Sequence, residues 1–218
     1  MLVSTETRWI LSSDQVNIIE KWFSNYNEYF EESNLFQRQD YYLKTNSTEL
    51  GIKLREPKKD EKGEVIAKLE AKKLLEDYGA KKFSNGNNGN VNSWVKFSFD
   101  TDPQKNPLDL IIGNSSNMLS SEWIKIEKDR LLVKYDAENE RIVSGKEMIG
   151  SGSGIELTKY KLNNNVYYSL GIESFSDKKG NTNEVFYQTM NFLFTDIKIS
   201  GLEYTNSKSY PEILLQKP

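Results

Sequence analysis

The segment Glu49–Glu56, with the sequence ELGIKLRE, carries the residue pattern that decides the fold class. Its apolar residues occupy every second position: they are Leu50, Ile52 and Leu54. Successive side chains of a β-strand point to opposite faces of the sheet, so Lys53 and Arg55 share the other face. The pattern predicts a strand with an apolar face against a core and a basic face on its second side.

The same division recurs in other predicted strands. Around Ala67–Ala71, one face carries Lys68, Glu70 and Lys72. Lys96 lies in the predicted strand Trp94–Phe99. Lys128 and Arg130, two residues apart in a later segment, would share one strand face. Two interpretations remain open at this point. The charged side chains could form a solvated sheet face, or they could line the polar, basic lumen of a closed barrel, where charge-assisted bonds to a polyanion would be strong.

The remaining pattern predicts a mainly antiparallel α+β fold. A strand over Val3–Leu11 places Glu6 and Arg8 on one face, and Ser12 and Gln15 then match a capping box before an amphipathic helix over residues 14–32. The sequence predicts further strands within residues 38–175, a second helix over 183–194 and an irregular tail from 197 to 218. It also predicts loops or excursions, which are Pro57–Gly63, Ser84–Asn92, residues 100–121 and the glycine-rich run 150–154.

Seven to nine strands and two helices fit one domain over residues 1–218, because no linker or repeat interrupts the pattern. Closure of the sheet into a barrel would remove its exposed edges. The expected fold class is therefore α+β, with an antiparallel closed barrel of about eight strands and flanking helices.

The amino-acid composition limits the kinds of catalytic and metal-binding site that the protein can form. The chain of 218 residues has no His and no Cys, which excludes imidazole bases, thiol nucleophiles and the usual zinc sites. Carboxylates, Lys and Arg remain, a set that suits phosphate and hard cations such as Mg²⁺ or Mn²⁺. The net charge of −3 argues against a nucleic-acid coat or a polybasic membrane-surface protein. We find no apolar run long enough for a membrane span and no signal-peptide pattern, so we expect a cytoplasmic protein.

An ordered set of short motifs resembles the CYTH superfamily, the triphosphate tunnel metalloenzymes, which include inorganic and thiamine triphosphatases and class IV adenylate cyclases. The pieces are Glu6-Thr7-Arg8, Asp40-Tyr41-Tyr42-Leu43, Leu50-Gly51-Ile52-Lys53-Leu54-Arg55, Leu69-Glu70-Ala71-Lys72, Trp94-Val95-Lys96-Phe97, Glu127-Lys128-Asp129-Arg130, Ile155-Glu156-Leu157-Thr158 and Ser169-Leu170-Gly171-Ile172-Glu173. The tail Ser209-Tyr210-Pro211-Glu212 also resembles the end of a bacterial branch of this group. The set spans nearly the whole chain.

The resemblance implies a barrel of about eight strands that forms a tunnel for a triphosphate. It implies phosphate contacts from Arg8, Lys53, Arg55, Lys72, Lys96, Lys128 and Arg130, with catalytic roles for Lys53, Arg55 and Arg130. It implies divalent metal ligands, Mg²⁺ or Mn²⁺, in Glu6, Glu156 and Glu173. The ligand would be a small-molecule triphosphate or nucleotide, with no nucleic-acid or membrane partner, and a homodimer is left open.

One departure from the family pattern separates two functions. The first strand of the family reads Glu-x-Glu-x-Lys, whereas this chain has Ser4-Thr5-Glu6-Thr7-Arg8, so one carboxylate is missing. The first hypothesis is a metal-dependent hydrolase of inorganic triphosphate or a small organic triphosphate. The alternative is a non-catalytic polyphosphate- or nucleotide-binding barrel with an eroded metal site. A third class, a barrel that binds an apolar ligand, is disfavoured because the charged residues would line its lumen.

Overall fold

The computed structural model describes residues 2–30, 38–59, 61–62, 65–100, 123–178 and 181–215. Within these residues the strands are β1 (Leu2–Ile10), β2 (Arg38–Leu43), β3 (Leu50–Lys59), β4 (Val65–Lys82), β5 (Asn88–Asp100), β6 (Trp123–Asp136), β7 (Arg141–Ser144), β8 (Ser151–Leu162) and β9 (Asn165–Ser176). The α-helices are α1 (Ser13–Phe23), α2 (Thr182–Asp196) and α3 (Tyr210–Leu215). None of the helices in these ranges has the length and apolar character needed to cross a membrane.

Eight of the strands form a closed antiparallel barrel. Their order is β2-β3-β4-β5-β1-β9-β8-β6, and β6 pairs with β2 to close the ring. β6 pairs with two strands along one of its edges: residues 123–128 pair with β2, and residues 133–136 pair with the short β7. The predicted fold class, an α+β protein with a closed barrel of about eight strands, is confirmed.

The main hydrophobic core lies outside the barrel, between its wall and the helices α1 and α2. Trp9 is fully buried there, and its ring makes edge contacts with Phe83 and Phe194 at centroid distances of 6.0 and 6.3 Å. The core includes one face of β1, β8 and β9 together with the apolar faces of both helices. Because the apolar faces of these strands point outward, their polar faces point into the lumen.

The first helix begins as predicted but ends earlier. Ser12 and Gln15 form the expected capping box, in which each side chain bonds to the other residue's backbone. The α-helix ends at Phe23, and a 3₁₀ helix follows over Ser24–Tyr29 instead of a continuous helix to residue 32. The Ser24 hydroxyl donates to the Lys21 carbonyl at 2.6 Å, so a polar side chain takes up the main-chain acceptor at the helix end. Residues 31 and 32 lie outside the described residues.

The Asn/Gly-rich segment Ser84–Asn92 is mostly strand, so its prediction as a loop is wrong. Only Ser84–Gly86 form a turn, and β5 begins at Asn88. Asparagine amides here bridge to the C-terminal segment: Asn87 donates to the Ile199 carbonyl at 3.0 Å and Asn90 to the Ser207 carbonyl at 2.9 Å. Asn87 and Asn90 thus hydrogen-bond the start of β5 and the residue before it to the C-terminal segment.

Three further segments differ from the prediction. β3 continues through Pro57 to Lys59, past a bulge at which Glu56 has φ of 46°. The run 150–154 is not a flexible linker, because β8 begins at Ser151 and Ser153 hydrogen-bonds to Ser174 at 2.6 Å. The tail contains α3. The predicted excursion over residues 100–121 lies almost entirely outside the described residues.

Candidate active site in the barrel lumen

All ten of the predicted site residues line one cavity of about 160 Å³ in the barrel lumen. They are Glu6, Arg8, Lys53, Arg55, Lys72, Lys96, Lys128, Arg130, Glu156 and Glu173. The two-residue period of the strands brings them together, because alternate side chains of each strand point into the lumen. On β3, for example, Leu54 is buried on the outer side between Lys53 and Arg55.

The cavity has a large excess of positive charge. Among the described residues, nine basic and four acidic side chains line it, which leaves five positive charges in excess if all are ionised. Besides the predicted cations, the basic lining includes Arg38 and Lys208. Charges in a walled, partly desolvated space interact more strongly than at an open surface, so the lumen is suited to a polyanion.

Two carboxylates face each other across neighbouring strands at one side of the cavity. Glu6 on β1 is the register partner of Glu173 on β9. Glu6 binds Lys72 and accepts from the Ser4 hydroxyl, while Glu173 accepts from Lys96 at 3.3 Å. Burial raises the pKa of Glu6, and the charge of Glu173 adds to this rise against the opposing effect of Lys72. Burial also works to raise the pKa of Glu173, but the charges of Lys72 and Lys96 outweigh it and the pKa is lowered.

Glu156 is held by two arginines. Its carboxylate accepts from Arg130 at 2.6 Å and from Arg8 at 3.5 Å, and the Thr158 hydroxyl donates to it at 2.5 Å. Although burial works to raise its pKa, these arginine charges lower the pKa well below its usual range. Glu156 therefore stays ionised and keeps the two guanidinium groups in the lumen.

Two acidic residues that the sequence analysis did not assign hold the other side of the cavity. Glu70 on β4 pairs with Lys53 at 3.0 Å and with Arg55 at 3.3 Å. Asp40 on β2 is fully buried and pairs with Arg38, Lys53 and Lys128. Asp40 does not line the cavity itself; it lies behind the lysines that do. The strand period could have indicated both residues. Asp40 shares a strand face with Arg38 and Tyr42, and Glu70 shares one with Lys68 and Lys72.

The short helix α3 contributes aromatic contacts to the lumen. The Tyr210 ring lies 3.9 Å from Lys128 Nζ and 4.6 Å from the Arg8 guanidinium, measured to the ring centroid. It also stacks on Tyr42 at 5.4 Å. The sequence pattern predicted neither this helix nor its position, although Ser209 and Glu212 have the spacing of a capping box. Glu212 accepts from the Ser209 backbone N–H at 2.6 Å and from its hydroxyl at 2.8 Å.

The donor set fits a divalent cation that is bound jointly with phosphate. No group of three acidic side chains in the described residues is close enough to hold a metal by itself. Glu6 and Glu173, however, are two facing carboxylates whose charges disfavour each other, and Mg²⁺ commonly binds through one or two carboxylates plus substrate phosphates. Glu156 fits this role less well, because two arginines and Thr158 already occupy its oxygens.

Comparison with solved structures gives matches over most of the chain. One is to a "putative adenylate cyclase" from Bacillus halodurans, at 11% identity and a TM-score of 0.44, covering 89% of each chain. Another is to the S. pombe Pct1 RNA triphosphatase in complex with the Spt5 CTD, at 13% identity and a TM-score of 0.44, covering 91% of this chain and 86% of that one. No protein-family model and no curated protein sequence matches the chain.

Proposed function

We propose that the lumen binds the triphosphate group of inorganic triphosphate or of a small organic triphosphate, and that the protein hydrolyses it with the help of Mg²⁺ or Mn²⁺. The excess of positive charge inside a closed barrel is the observation that carries this proposal. Phosphoryl transfer depends mainly on positioning and charge neutralisation, so a site of Lys, Arg and Glu without His or Cys is sufficient for it.

The phosphate contacts would come from cations on several strands. Lys53 and Arg55 lie on β3, Lys72 on β4 and Lys96 on β5, so they surround the cavity from one half of the barrel. Arg8, Lys128 and Arg130 reach it from β1 and β6. Arginine presents a planar fork that matches two phosphate oxygens, whereas lysine acts as a compact charge.

Hydrolysis breaks one P–O anhydride bond. The oxygen of a water molecule bonds to phosphorus, the bridging oxygen leaves with the departing phosphate, and one proton of the water is released. Negative charge is redistributed over the phosphoryl and bridging oxygens during this step, and Lys53, Arg55 and Arg130 would stabilise it. Glu156 would keep Arg130 in place for this, since the two form an ion pair at 2.6 Å.

A divalent cation would be held by Glu6 and Glu173 together with phosphate oxygens. When bound, it would neutralise phosphate charge and lower the pKa of a coordinated water. Lys72 and Lys96, which pair with these two carboxylates, would then be released to bind phosphate. The carboxylates would thus bind the metal and the lysines the phosphate.

The alternative function is a binding barrel without turnover. It is favoured by the engagement of Glu156 with two arginines and by Ser4 in the position where the family's first strand has a carboxylate. Under this alternative the lumen binds triphosphate through the same cations but does not release phosphate.

A phosphate-release assay tests the proposal. Inorganic triphosphate, ATP and thiamine triphosphate would each be incubated with Mg²⁺, with Mn²⁺ and with chelator. We expect release that requires metal and that is lost in Lys53→Ala. We expect Lys198→Ala, which removes an exposed lysine that does not line the cavity, to behave as the unchanged protein. Tight triphosphate binding by calorimetry without any release would establish the alternative, and the absence of both would overturn the two proposals together.

A further inference from the structure

Three cations converge on one oxygen of a carboxylate that solvent does not reach. Asp40 is 0% exposed, and its Oδ2 lies 3.1 Å from the Arg38 guanidinium, 3.5 Å from Lys53 Nζ and 3.3 Å from Lys128 Nζ. Its second oxygen, Oδ1, has no hydrogen-bond partner among the described residues. All three ion pairs therefore depend on a single atom.

Asp40 lies behind the wall of the cavity, while the three cations that it binds line it. A residue in this place does not contact a ligand directly but can fix the groups that do. We propose that Asp40 is a positioning residue that holds Lys53 and Lys128 where they bind the phosphates of the ligand, an inference that rests on the proposed function. Asp40 is thus a residue of the site that neither the sequence pattern nor the resemblance assigned.

The surroundings of Lys128 explain why its protonation depends on the Asp40 carboxylate. Its Nζ donates to the Tyr42 hydroxyl at 2.7 Å and lies over the rings of Tyr42 and Tyr210. The nearby charges on neighbouring strands are the cations Arg38 and Lys53 and the anion Asp40. Burial and the two cations disfavour the ammonium, whereas the Asp40 charge and the Tyr42 oxygen favour it; burial dominates and the pKa of Lys128 is lowered. Without Asp40, Lys128 would lose its proton more readily.

Glu70 provides a matched control. It binds Lys53 and Arg55 from β4, as Asp40 binds Lys53 and Lys128 from β2, and it is also buried. No ion pair joins Glu70 to Lys128 in the described part of the chain. Glu70→Gln therefore removes a lumen carboxylate of similar burial and one ion-pair partner of Lys53, but it removes no direct contact of Lys128.

The experiment compares Asp40→Asn and Glu70→Gln by two measurements. NMR titration of the Lys128 side chain in the ligand-free protein should give a midpoint at least one pH unit lower in Asp40→Asn and a much smaller change in Glu70→Gln. Calorimetric binding of inorganic triphosphate should weaken about tenfold or more in Asp40→Asn, and it should fall further as pH rises because Lys128 becomes neutral. A merely structural role for Asp40 would not create this new pH dependence.

The outcomes separate the inference from the proposed function. If the unchanged protein binds triphosphate and Asp40→Asn binds it equally well with the same pH profile, the inference is overturned and the function stands. If the unchanged protein does not bind triphosphate, the proposed function fails and the ligand part of the inference fails with it, while the Lys128 titration still decides whether Asp40 controls that lysine.

A reciprocal measurement covers the case in which Asp40→Asn does not fold. In Lys128→Met, the Asp40 carboxyl should titrate at higher pH than in the unchanged protein, where three cations hold its pKa at about 2 against the effect of burial. An unchanged Asp40 midpoint would show that the two groups are not coupled and would overturn the inference.

Discussion

Glu6 and Glu173 are register partners on β1 and β9, so two carboxylates of the lumen face each other across one pair of strands. Each is paired with its own lysine, Lys72 for Glu6 and Lys96 for Glu173. The two carboxylates also repel each other, and the charge of Glu173 adds to the rise in the pKa of Glu6. A divalent cation would relieve that repulsion, which is why this pair is the best candidate in the lumen for joint binding of metal and phosphate.

The first prediction concerns Glu173. Glu173→Gln should reduce metal-dependent phosphate release by about 100-fold or more, because the substitution removes a charged metal ligand and not merely a supporting residue. Triphosphate binding in the presence of chelator should be unchanged or stronger, since a negative charge leaves a site for an anion. Steady-state phosphate release and calorimetry measure the two effects. Glu20→Gln, on the exposed face of α1, is the control, and full activity of Glu173→Gln would contradict a metal-binding role.

The second prediction uses a glycine that makes room for Arg8. A Cβ atom on Gly171 would lie 2.6 Å from the nearest Arg8 guanidinium nitrogen, so Gly171→Ala should displace the end of that side chain from Glu156 without changing any charge. Because the displaced atoms are the far end of a flexible side chain, the fold should tolerate the change. Loss of one charge-assisted contact should weaken triphosphate binding by about tenfold.

Gly154 is the matched control for Gly171. It lies on the neighbouring strand β8 as the register partner of Glu173. Its added Cβ would meet Leu132 Cδ1 at 3.5 Å and the Glu173 carbonyl oxygen at 3.9 Å, both ordinary contacts. Gly154→Ala should therefore bind triphosphate as the unchanged protein does. Calorimetric titration of both variants, with melting temperatures to verify folding, makes the comparison, and equal affinities in the two variants would show that the position of Arg8 does not matter for binding.

The sequence predicted the residues that line the lumen better than it predicted the residues that hold them in place. Strand alternation alone placed Lys53 and Arg55 on the face opposite Leu54, and the structure has them there, in the lumen. The same alternation could not reveal that Lys128 and Lys53 meet at Asp40, because that contact joins three strands through the barrel's closure between β2 and β6. Side-chain parity is a local property, whereas closure depends on pairing between distant segments.

Two of the errors outside the site have a common physical cause. Ser84–Asn92 and the tail were interpreted from composition, and Asn and Gly are typical of loops. In the structure Asn87, Asn88 and Asn90 direct their side chains to the C-terminal segment; for example, the Tyr204 N–H donates to Asn88 at 2.6 Å. Each of the two segments is ordered by the other, and composition cannot indicate such a long-range contact.

The third prediction is an acid dependence of folding stability that comes from Asp40. Burial would raise its pKa, but the charges of Lys53, Lys128 and Arg38 lower it to about 2 from a usual value of 3.8. A depressed carboxyl pKa contributes stability that is present above the unfolded value and is lost as the pH falls from near 4 through about 2. The contribution is about 2 kcal/mol at neutral pH.

Urea unfolding between pH 6 and pH 2.5 measures this contribution. The difference in free energy of unfolding between the unchanged protein and Asp40→Asn should be largest near pH 6 and should narrow as the pH falls, because the protonated Asp40 resembles Asn in charge. A difference that stays constant over this range would show that Asp40 acts by packing and not by charge.

The last prediction concerns the ring of Tyr210 on α3. The ring contacts Lys128, Arg8 and Tyr42, but the hydroxyl is buried without a hydrogen-bond partner among the described residues. Removal of a buried, unsatisfied hydroxyl costs little or is favourable, so Tyr210→Phe should change the free energy of unfolding by less than about 0.5 kcal/mol.

Tyr210→Ala should behave differently from Tyr210→Phe. It removes the ring that packs on two cations of the lumen, and loss of a large, partly buried aromatic side chain costs about 3 kcal/mol. Triphosphate binding should weaken as well, since Arg8 and Lys128 lose a surface that limits their movement. Tyr204→Ala, which truncates a tyrosine that is 53% exposed in the same C-terminal segment, is the control. Equal stability of Tyr210→Ala and Tyr204→Ala would contradict a role of α3 in supporting the site.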